Sequence, residues 1–258
     1  MTDSQQPYRL AELTTEEAAE AVTRAPVVII PAGAYEQHGP GMPIATDTIR
    51  AERIADLVGA RLAGRVVIGP PLPVGVSPHH MAFAGTVTLT TTTFAAVVRE
   101  YVESLRRHGW RRFLVLTGHG GNNATLTTVA QGLLVSHPDV RFAWTPVTSL
   151  ASGVVAQMGV SEVHGHSGEA ETAQMLALAP ELVHQDRLKP GTVSLDELGP
   201  ESRLARTFSQ PTLTLPYDEL SANGVLGDPT SVTAEDGRAI VDAAVDRVSA
   251  FVEEWLDL

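Results

Sequence analysis

Four short, largely apolar runs separated by stretches of helical periodicity constrain this chain more than any other feature. They are Pro26-Val27-Val28-Ile29-Ile30-Pro31, Val66-Val67-Ile68, Arg111 to Thr117 around Phe113-Leu114-Val115-Leu116, and Val140 to Trp144. Short runs rich in β-branched residues, without strict alternation, suit strands buried on both faces. Helical patterns lie between and after them. Thr14 to Thr23 carries a capping threonine and acidic residues in its first turn. Asp47 to Leu62 repeats apolar residues at Ile49, Ile54, Leu57, Val58 and Leu62, with Asp47 or Thr48 as its cap. Phe94 to Leu105 follows, then a helix from Asn122 or Asn123 to near His137, where Pro138 ends it. Glu169 to Leu178 stops at Pro180, and Thr233 caps a closing helix that runs to Leu258. Strands alternating with helices predict a three-layer α/β/α fold with a mostly parallel central sheet. The 258 residues and even composition suit one α/β domain over 1–258, although length alone would permit two. Thr86 to Leu89 alternates and predicts one further short strand. Residues 70–85 form a long Pro- and Gly-rich loop, of a length that usually serves function. Residues 184–230 read as loops with short strands.

Composition removes several classes of chemistry. There is no cysteine, so disulfides, thiolate metal sites and cysteine nucleophiles are excluded. A formal net charge of −12 argues against a nucleic-acid partner and against an anionic membrane surface. No apolar run approaches the ~20 residues needed to cross a bilayer. Met1 to Leu10 is polar and lacks the apolar core of a signal peptide. These features lead us to expect a soluble cytoplasmic protein.

The polar residues of interest lie where strands end. Glu36, His38 and Asp47 follow the first run, in Gly33-Ala34-Tyr35-Glu36-Gln37-His38-Gly39-Pro40-Gly41-Met42-Pro43-Ile44-Ala45-Thr46-Asp47. If the chain stays extended there, Glu36 and His38 face one side and Gln37 the other. Carboxylates and imidazoles at the carboxyl end of a strand suit the start of a metal centre, although a Glu-x-His pair alone is equally compatible with a polar loop. Two later stretches supply more such groups: Thr117-Gly118-His119-Gly120-Gly121-Asn122 and His164-Gly165-His166-Ser167-Gly168-Glu169-Ala170-Glu171-Thr172. In open α/β sheets, sites form beyond the carboxyl ends of strands, where the first two stretches fall.

Together the three stretches resemble the creatininase family of metal-dependent amidohydrolases. That family carries a Glu-Gln-His-Gly-Pro stretch with an Asp downstream, an Asn-Gly-His-Gly-Gly-Asn loop and a His-Ala-Gly-Glu-x-Glu-Thr stretch, in this order. The resemblance implies two divalent metal ions per chain. One would take Glu36, Asp47 and His119, the other His38, Asp47 and Glu169, with Asp47 as the bridge. Zinc is the first expectation, and manganese or iron also suit carboxylate and imidazole ligands. Two cations about 3.5–4 Å apart make hydroxide available near neutral pH for attack on an amide carbonyl. By the same resemblance His166 is the proton shuttle, with His164 as the alternative, and Glu171 is an orienting group beside the ligands. Ser77 and His80 sit in the loop the family uses near its substrate, where they are either contacts or loop decoration. Gly120 would let the backbone approach the substrate closely. The resemblance also implies a homo-oligomer, a hexamer.

Departures from the family pattern bear on the substrate. Gly41-Met42-Pro43 stands where the family often has His-Leu-Pro. Residues 147–168 contain no Trp, whereas creatinine-degrading members stack their substrate on tryptophans there. Gly121 stands where such members tend to carry a Glu. The expectation is therefore hydrolysis of a small cyclic amide or formamide other than creatinine. The alternative is a peptidase-like member that trims a precursor peptide, as in mycofactocin-type pathways. Those members tend to lack the Glu at position 169, which ranks this reading second. A third reading, of another class, is a non-catalytic metal-stabilised subunit of an oligomer.

Overall fold

The computed structural model describes residues 8–208 and 210–258. Residues 1–7, most of the Met1–Leu10 stretch weighed above for a leader, lie outside them. Helix α1 (Thr15–Arg24) opens with a capping box in which the Thr14 hydroxyl accepts from the Glu17 amide and the Glu17 carboxylate accepts from the Thr14 amide. Then follow β1 (Val27–Ala32), α2 (Thr46–Arg61), β2 (Val66–Ile68), α3 (Thr91–Arg107), β3 (Arg112–Thr117), α4 (Asn123–Ser136) and β4 (Arg141–Pro146). A short α5 (Ser152–Val155) precedes α6 (Glu169–Leu178), the brief α7 (Pro200–Thr207) and α8 (Tyr217–Leu220), and the long α9 (Ala234–Leu256).

The four strands form one sheet in the order β2-β1-β3-β4, and all three pairings are parallel. Side chains alternate across it. Val28, Ile30, Phe113 and Val115 pack against α1, α3 and α4 through Ala21, Phe94, Val98, Leu126 and Val129. Val27, Ile29, Leu114 and Leu116 pack on the other face against α2 and α9 through Ile54, Val58, Val245 and Val248. Both faces being covered explains why the strands read as unbroken apolar runs. The register places Ala32 beside Thr117, so β1 and β3 end level and deliver the segments after them to one spot.

Three expectations need correction. Thr86 to Leu89 is not a strand; only Val87 pairs, by an isolated antiparallel bridge to Tyr35. Its alternation serves loop bracing instead. Thr86 Oγ1 accepts from the Gln37 amide, and Thr88 Oγ1 accepts from the Ser77 amide. Residues 184–230 hold α7 and α8 and one isolated bridge, Thr192 to Leu226, rather than short strands. Helix α2 starts at Thr46 with Ala45 as its cap residue, because the Thr46 hydroxyl turns back to the Pro43 carbonyl. Asp47 is left inside the first turn, free to face the sheet ends.

Candidate active site

The site is assembled at the level carboxyl ends of β1 and β3. Glu36 and His38 lie just past β1, Asp47 in the first turn of α2, and His119 two residues past β3; all four are buried. The close approach is built with glycine. A Cβ on Gly118 would collide with the Asp47 backbone carbonyl, so α2 can lean on the end of β3 only with no side chain there. A Cβ on Gly121 would collide with His119 Nε2 and the Val76 carbonyl oxygen. The hydrogen bond from His119 Nε2 to the Val76 carbonyl, 2.9 Å long, runs through the space a side chain at position 121 would need.

Backbone carbonyls fix which nitrogen each imidazole offers. His119 donates from Nε2 to Val76, which leaves Nδ1 turned to Asp47 Oδ2 at 3.2 Å and Glu36 Oε1 at 3.3 Å. His38 donates from Nδ1 to the Glu36 carbonyl at 3.2 Å, leaving Nε2 3.4 Å from Asp47 Oδ1 and 3.5 Å from Glu171 Oε2. His166 donates from Nε2 to the Gln37 carbonyl at 2.7 Å, leaving Nδ1 3.4 Å from Glu36 Oε1. Each imidazole thus turns a lone pair toward carboxylate oxygens, an arrangement that only a proton or a cation between them makes favourable. Glu36 Oε2, His38 Nε2 and Asp47 Oδ2 are buried without a hydrogen-bond partner among the described residues. Glu36, His38 and Asp47 each place one ligand atom within 4.8 Å of the others, as do His38, His166 and Glu171. Orphaned donors of this kind fit divalent metal.

The electrostatics agree. Burial alone would lower the pKa of His38, but Asp47 and Glu171 outweigh it and raise it to about 10. His119 is likewise raised, its burial outweighed by Glu36 and Asp47. Asp47 is held low against its burial by the two histidines. Glu171, despite burial, is drawn down to about 2 by Arg50 and His38. The cluster draws positive charge to itself. The imidazoles at its edge behave oppositely. Burial and the charge on His38 lower His166, and burial and His119 lower His79 to about 4.

The structure brings most of the expected residues together, with two displacements. Glu171, not Glu169, stands beside His38. Glu169 Oε1 accepts from the Ser161 amide at 3.0 Å and the Asp228 amide at 2.9 Å, which ties two loops to the start of α6, while its Oε2 is buried without a hydrogen-bond partner among the described residues and the residue lines the cavity. Ser77 is fully buried behind the site, where its hydroxyl meets His119 Nε2 at 3.2 Å. It braces the ring from the far side and is not among the residues lining the cavity. His80 and Gly120 do line that cavity, and His80 Nε2 lies 3.4 Å from Glu36 Oε1. His164 is exposed on the rim, its Nδ1 2.8 Å from the Ser161 carbonyl.

Three contributors were not among the expected site residues. Arg50 is fully buried and donates to Asp47 Oδ1 at 3.1 Å, Glu171 Oε1 at 2.7 Å, Gln174 Oε1 at 3.3 Å, and also to Thr148. It lies three residues after Asp47 on the same helical face, a spacing that flags it. The Gln37 side chain points away from Glu36 as extended geometry predicts, and its Nε2 lies 3.0 Å from His80 Nδ1. Tyr217 of α8 covers the imidazoles, with ring centroids 4.1 Å from His80, 5.1 Å from His166 and 5.4 Å from His79. The cavity that opens over the cluster holds about 640 Å³. Its far wall comes from Thr148, Ser149, Ser152, Val155, Ala156 and Val160, and among the described residues no Lys or Arg lines it.

Comparison with known proteins bears on this geometry. The family model for creatininase, described as creatinine amidohydrolase, matches residues 11–252. The mycofactocin precursor peptide peptidase of Mycobacterium ulcerans is 31% identical over 255 residues, covering 95% of this chain and 92% of its own. The creatinine amidohydrolase of Pseudomonas putida is 27% identical over 270 residues, covering 95% and 96%. A solved mutant creatininase of Zn–Zn type shares 25% identity and superposes with a TM-score of 0.79, over 96% of this chain and 98% of its own.

Proposed function

This chain belongs to the creatininase family of hydrolases, and from that membership we propose that it is a dinuclear metal-dependent amidohydrolase acting on a peptide-like amide. The observation that carries the reading is Asp47, whose two oxygens face His38 on one side and His119 on the other. One cation would be held by Glu36, Asp47 and His119, the other by His38, Asp47 and Glu171. When bound, such a pair supplies Lewis acidity and a nucleophile at neutral pH. Zinc is the preferred pair, with manganese or iron alternatives. A cytoplasmic homo-hexamer is part of the proposal by family likeness.

The chain's own residues do the rest. His166 holds its ring by the bond from Nε2 to the Gln37 carbonyl, so Nδ1 is the atom that would take up a proton and deliver it to the leaving nitrogen. Arg50 keeps one oxygen of Asp47 and one of Glu171 occupied, which orients both carboxylates. Tyr217 and His79 shield the inner end of the cavity and narrow the approach to it.

Two observations favour a peptide over a small ring. The cavity of about 640 Å³ is roomier than a five- or six-membered ring needs. Second, Glu169, whose presence ranked the peptidase reading lower, commits Oε1 to the Ser161 and Asp228 amides, and Glu171 rather than Glu169 stands beside His38. Hydrolysis of a small cyclic amide or formamide is the second reading, favoured by the likeness to the Pseudomonas putida enzyme. Creatinine itself is disfavoured, because residues 147–168, which line one side of the cavity, include no Trp on which a small ring could stack.

The test is a panel assay of metal-replete protein on short peptides, lactams, formamides and creatinine. Cleavage of a peptide bond with creatinine left intact is the expected result. Turnover of lactams or formamides alone would put the second reading first. No turnover of any amide by protein carrying both metals would overturn the enzyme reading.

A further inference from the structure

Among the described residues the imidazoles of His79, His80, His119, His164 and His166 line the cavity, and His79 differs from the rest. His119 and His166 each give one nitrogen to a backbone carbonyl and turn the other to a carboxylate. His80 has no lone pair to offer. Gln37 Oε1 accepts from the Gly39 amide, so its Nε2 is the donor that reaches His80 Nδ1 at 3.0 Å. The ring proton of His80 is then on Nε2, 3.4 Å from Glu36 Oε1, where it supports that carboxylate. His164 is exposed on the rim against the Ser161 carbonyl. His79 makes no hydrogen bond to a described residue. Its neighbours are rings: His80 at 4.5 Å, Tyr217 at 5.4 Å and His119 at 5.6 Å.

The chain holds this ring in place. His79 sits in the single turn Pro78–His80, and the two residues before that turn are pinned. The Val76 amide donates to Asn122 Oδ1 at 3.0 Å, the Val76 carbonyl accepts from His119 Nε2, and the Ser77 amide donates to Thr88 Oγ1 at 2.8 Å. Gly121 leaves room for the imidazole, since a Cβ there would stand 2.9 Å from His79 Cε1. The ring lies within 5° of parallel to that of His119. So placed, one nitrogen of His79, one oxygen of Glu36 and one nitrogen of His119 lie within 4.8 Å of one another. Two donors bound to one cation at about 2.0–2.2 Å stand at most about 4.4 Å apart, so a slight turn of the His79 ring brings it into the set. An uncommitted imidazole beside a carboxylate and a second imidazole is the donor chemistry that zinc favours.

We propose that His79 is a fourth protein donor to the cation position formed by Glu36, Asp47 and His119. That position is then closed by four side chains, while the one formed by His38, Asp47 and Glu171 has three and keeps the open place that a substrate carbonyl needs. This rests on the dinuclear reading above, and the experiment reads metal rather than turnover, so that the two can fail separately. The full chain, stripped of metal and isotope-labelled at its histidine ring nitrogens, is titrated with zinc and followed by NMR. The ring signals of His79 and His119 should move together at one equivalent, and that of His38 at the other. In competition with a chromophoric chelator, His79→Phe, which keeps a ring and removes the nitrogens, should bind one of the two zinc ions at least about a hundredfold more weakly and the other nearly unchanged. Loss of a partner that only supports a ligand costs about 10–100-fold, so a direct donor should cost no less than the top of that range. A His119 signal that moves with zinc while that of His79 stays would overturn the assignment and leave the dinuclear reading standing, with His79 confined to shielding the cavity. Two zinc ions held by His79→Phe as tightly as by the wild type would overturn it equally. A wild type that takes up no zinc would overturn both readings.

Discussion

The two halves of the candidate site are built on different principles. The first half, with Glu36, His38, Asp47 and His119, hangs from strand ends whose register is set by a continuous parallel ladder from Val27–Arg112 to Ala32–Thr117. The second half, with His166, Glu171 and Tyr217, comes from α6, the loop before it and the one-turn helix α8. A ladder fixes position and facing at once, because its period is two residues. A helix fixes position but leaves the facing to its rotational phase. Residues 169 and 171 are about 200° apart around α6, so only one of the two glutamates faces the cluster. The phase is set by Arg50, which Glu171 and Gln174, three residues apart on one face, both engage.

The sharpest way to break this comparison is to remove the residue both cations would share. Asp47→Ala should empty both positions together and reduce activity by at least about 10⁴-fold, since several kcal/mol of transition-state stabilisation would go with the metals. Elemental analysis on purified variant and wild type checks it. A variant that keeps a full complement of metal would remove Asp47 from the bridging role.

How much of this could be read from residues alone follows the same divide. The runs at 27–32, 66–68 and 112–117 were legible because a sheet covered on both faces needs uninterrupted apolar strands, and the half-buried edge strand at 141–146 keeps enough apolar residues to be read with them. Glu36, His38 and His119 were legible because motif and strand end coincide, and Asp47 because it follows them in the same stretch, at the start of α2. The Thr86 to Leu89 alternation misled, because hydroxyls that brace Gln37 and Ser77 give the same period as a half-buried strand. Ser77 lies in the right loop, but only the packed structure shows that it stands behind His119. Tyr217 lies far from any motif in a Pro-rich stretch, and no periodicity connects it to His80. Its placement depends on where α8 docks.

Next in size is the contrast inside α6. Glu171→Ala should lose one of the two metals and about 10³-fold in activity, whereas Glu169→Ala should keep both. The second variant should instead lower stability by about 1–3 kcal/mol, because the Ser161 and Asp228 amides lose their buried acceptor. Metal content and thermal unfolding, measured side by side, separate the outcomes. If Glu169→Ala were the one to shed metal, α6 would carry the opposite phase in the loaded protein.

The histidines around residue 165 refine the comparison further. His166→Ala should keep both metals and lose roughly 10²–10⁴-fold in kcat, the usual worth of a positioned proton donor. His164→Ala should lose far less, since that ring sits exposed on the rim against the Ser161 carbonyl. A larger defect in His164→Ala would exchange the two roles.

The smallest expected effect concerns Tyr217, the residue no motif announced. Its ring packs over His80 and edge-on to His166, so the aromatic body helps hold two imidazoles in place, while its hydroxyl makes no hydrogen bond to a described residue. Burial, with Glu36 adding to it, raises its pKa, so the hydroxyl keeps its proton through the working pH range and is available as a donor to substrate. Tyr217→Phe removes the donor and leaves the ring. One neutral hydrogen bond is worth about 0.5–1.5 kcal/mol, so kcat/KM should fall by about two- to tenfold with metal content unchanged. Tyr217→Ala removes both functions and should cost more, with the excess appearing as looser packing of His80 and a lower melting temperature. Steady-state kinetics on the two variants, set beside their melting curves, assign the parts. If Tyr217→Phe matched wild type while Tyr217→Ala was impaired, the residue would act through packing alone. The irregular half of the site would then contribute shape, and His166 its only reacting group apart from the metal ligands.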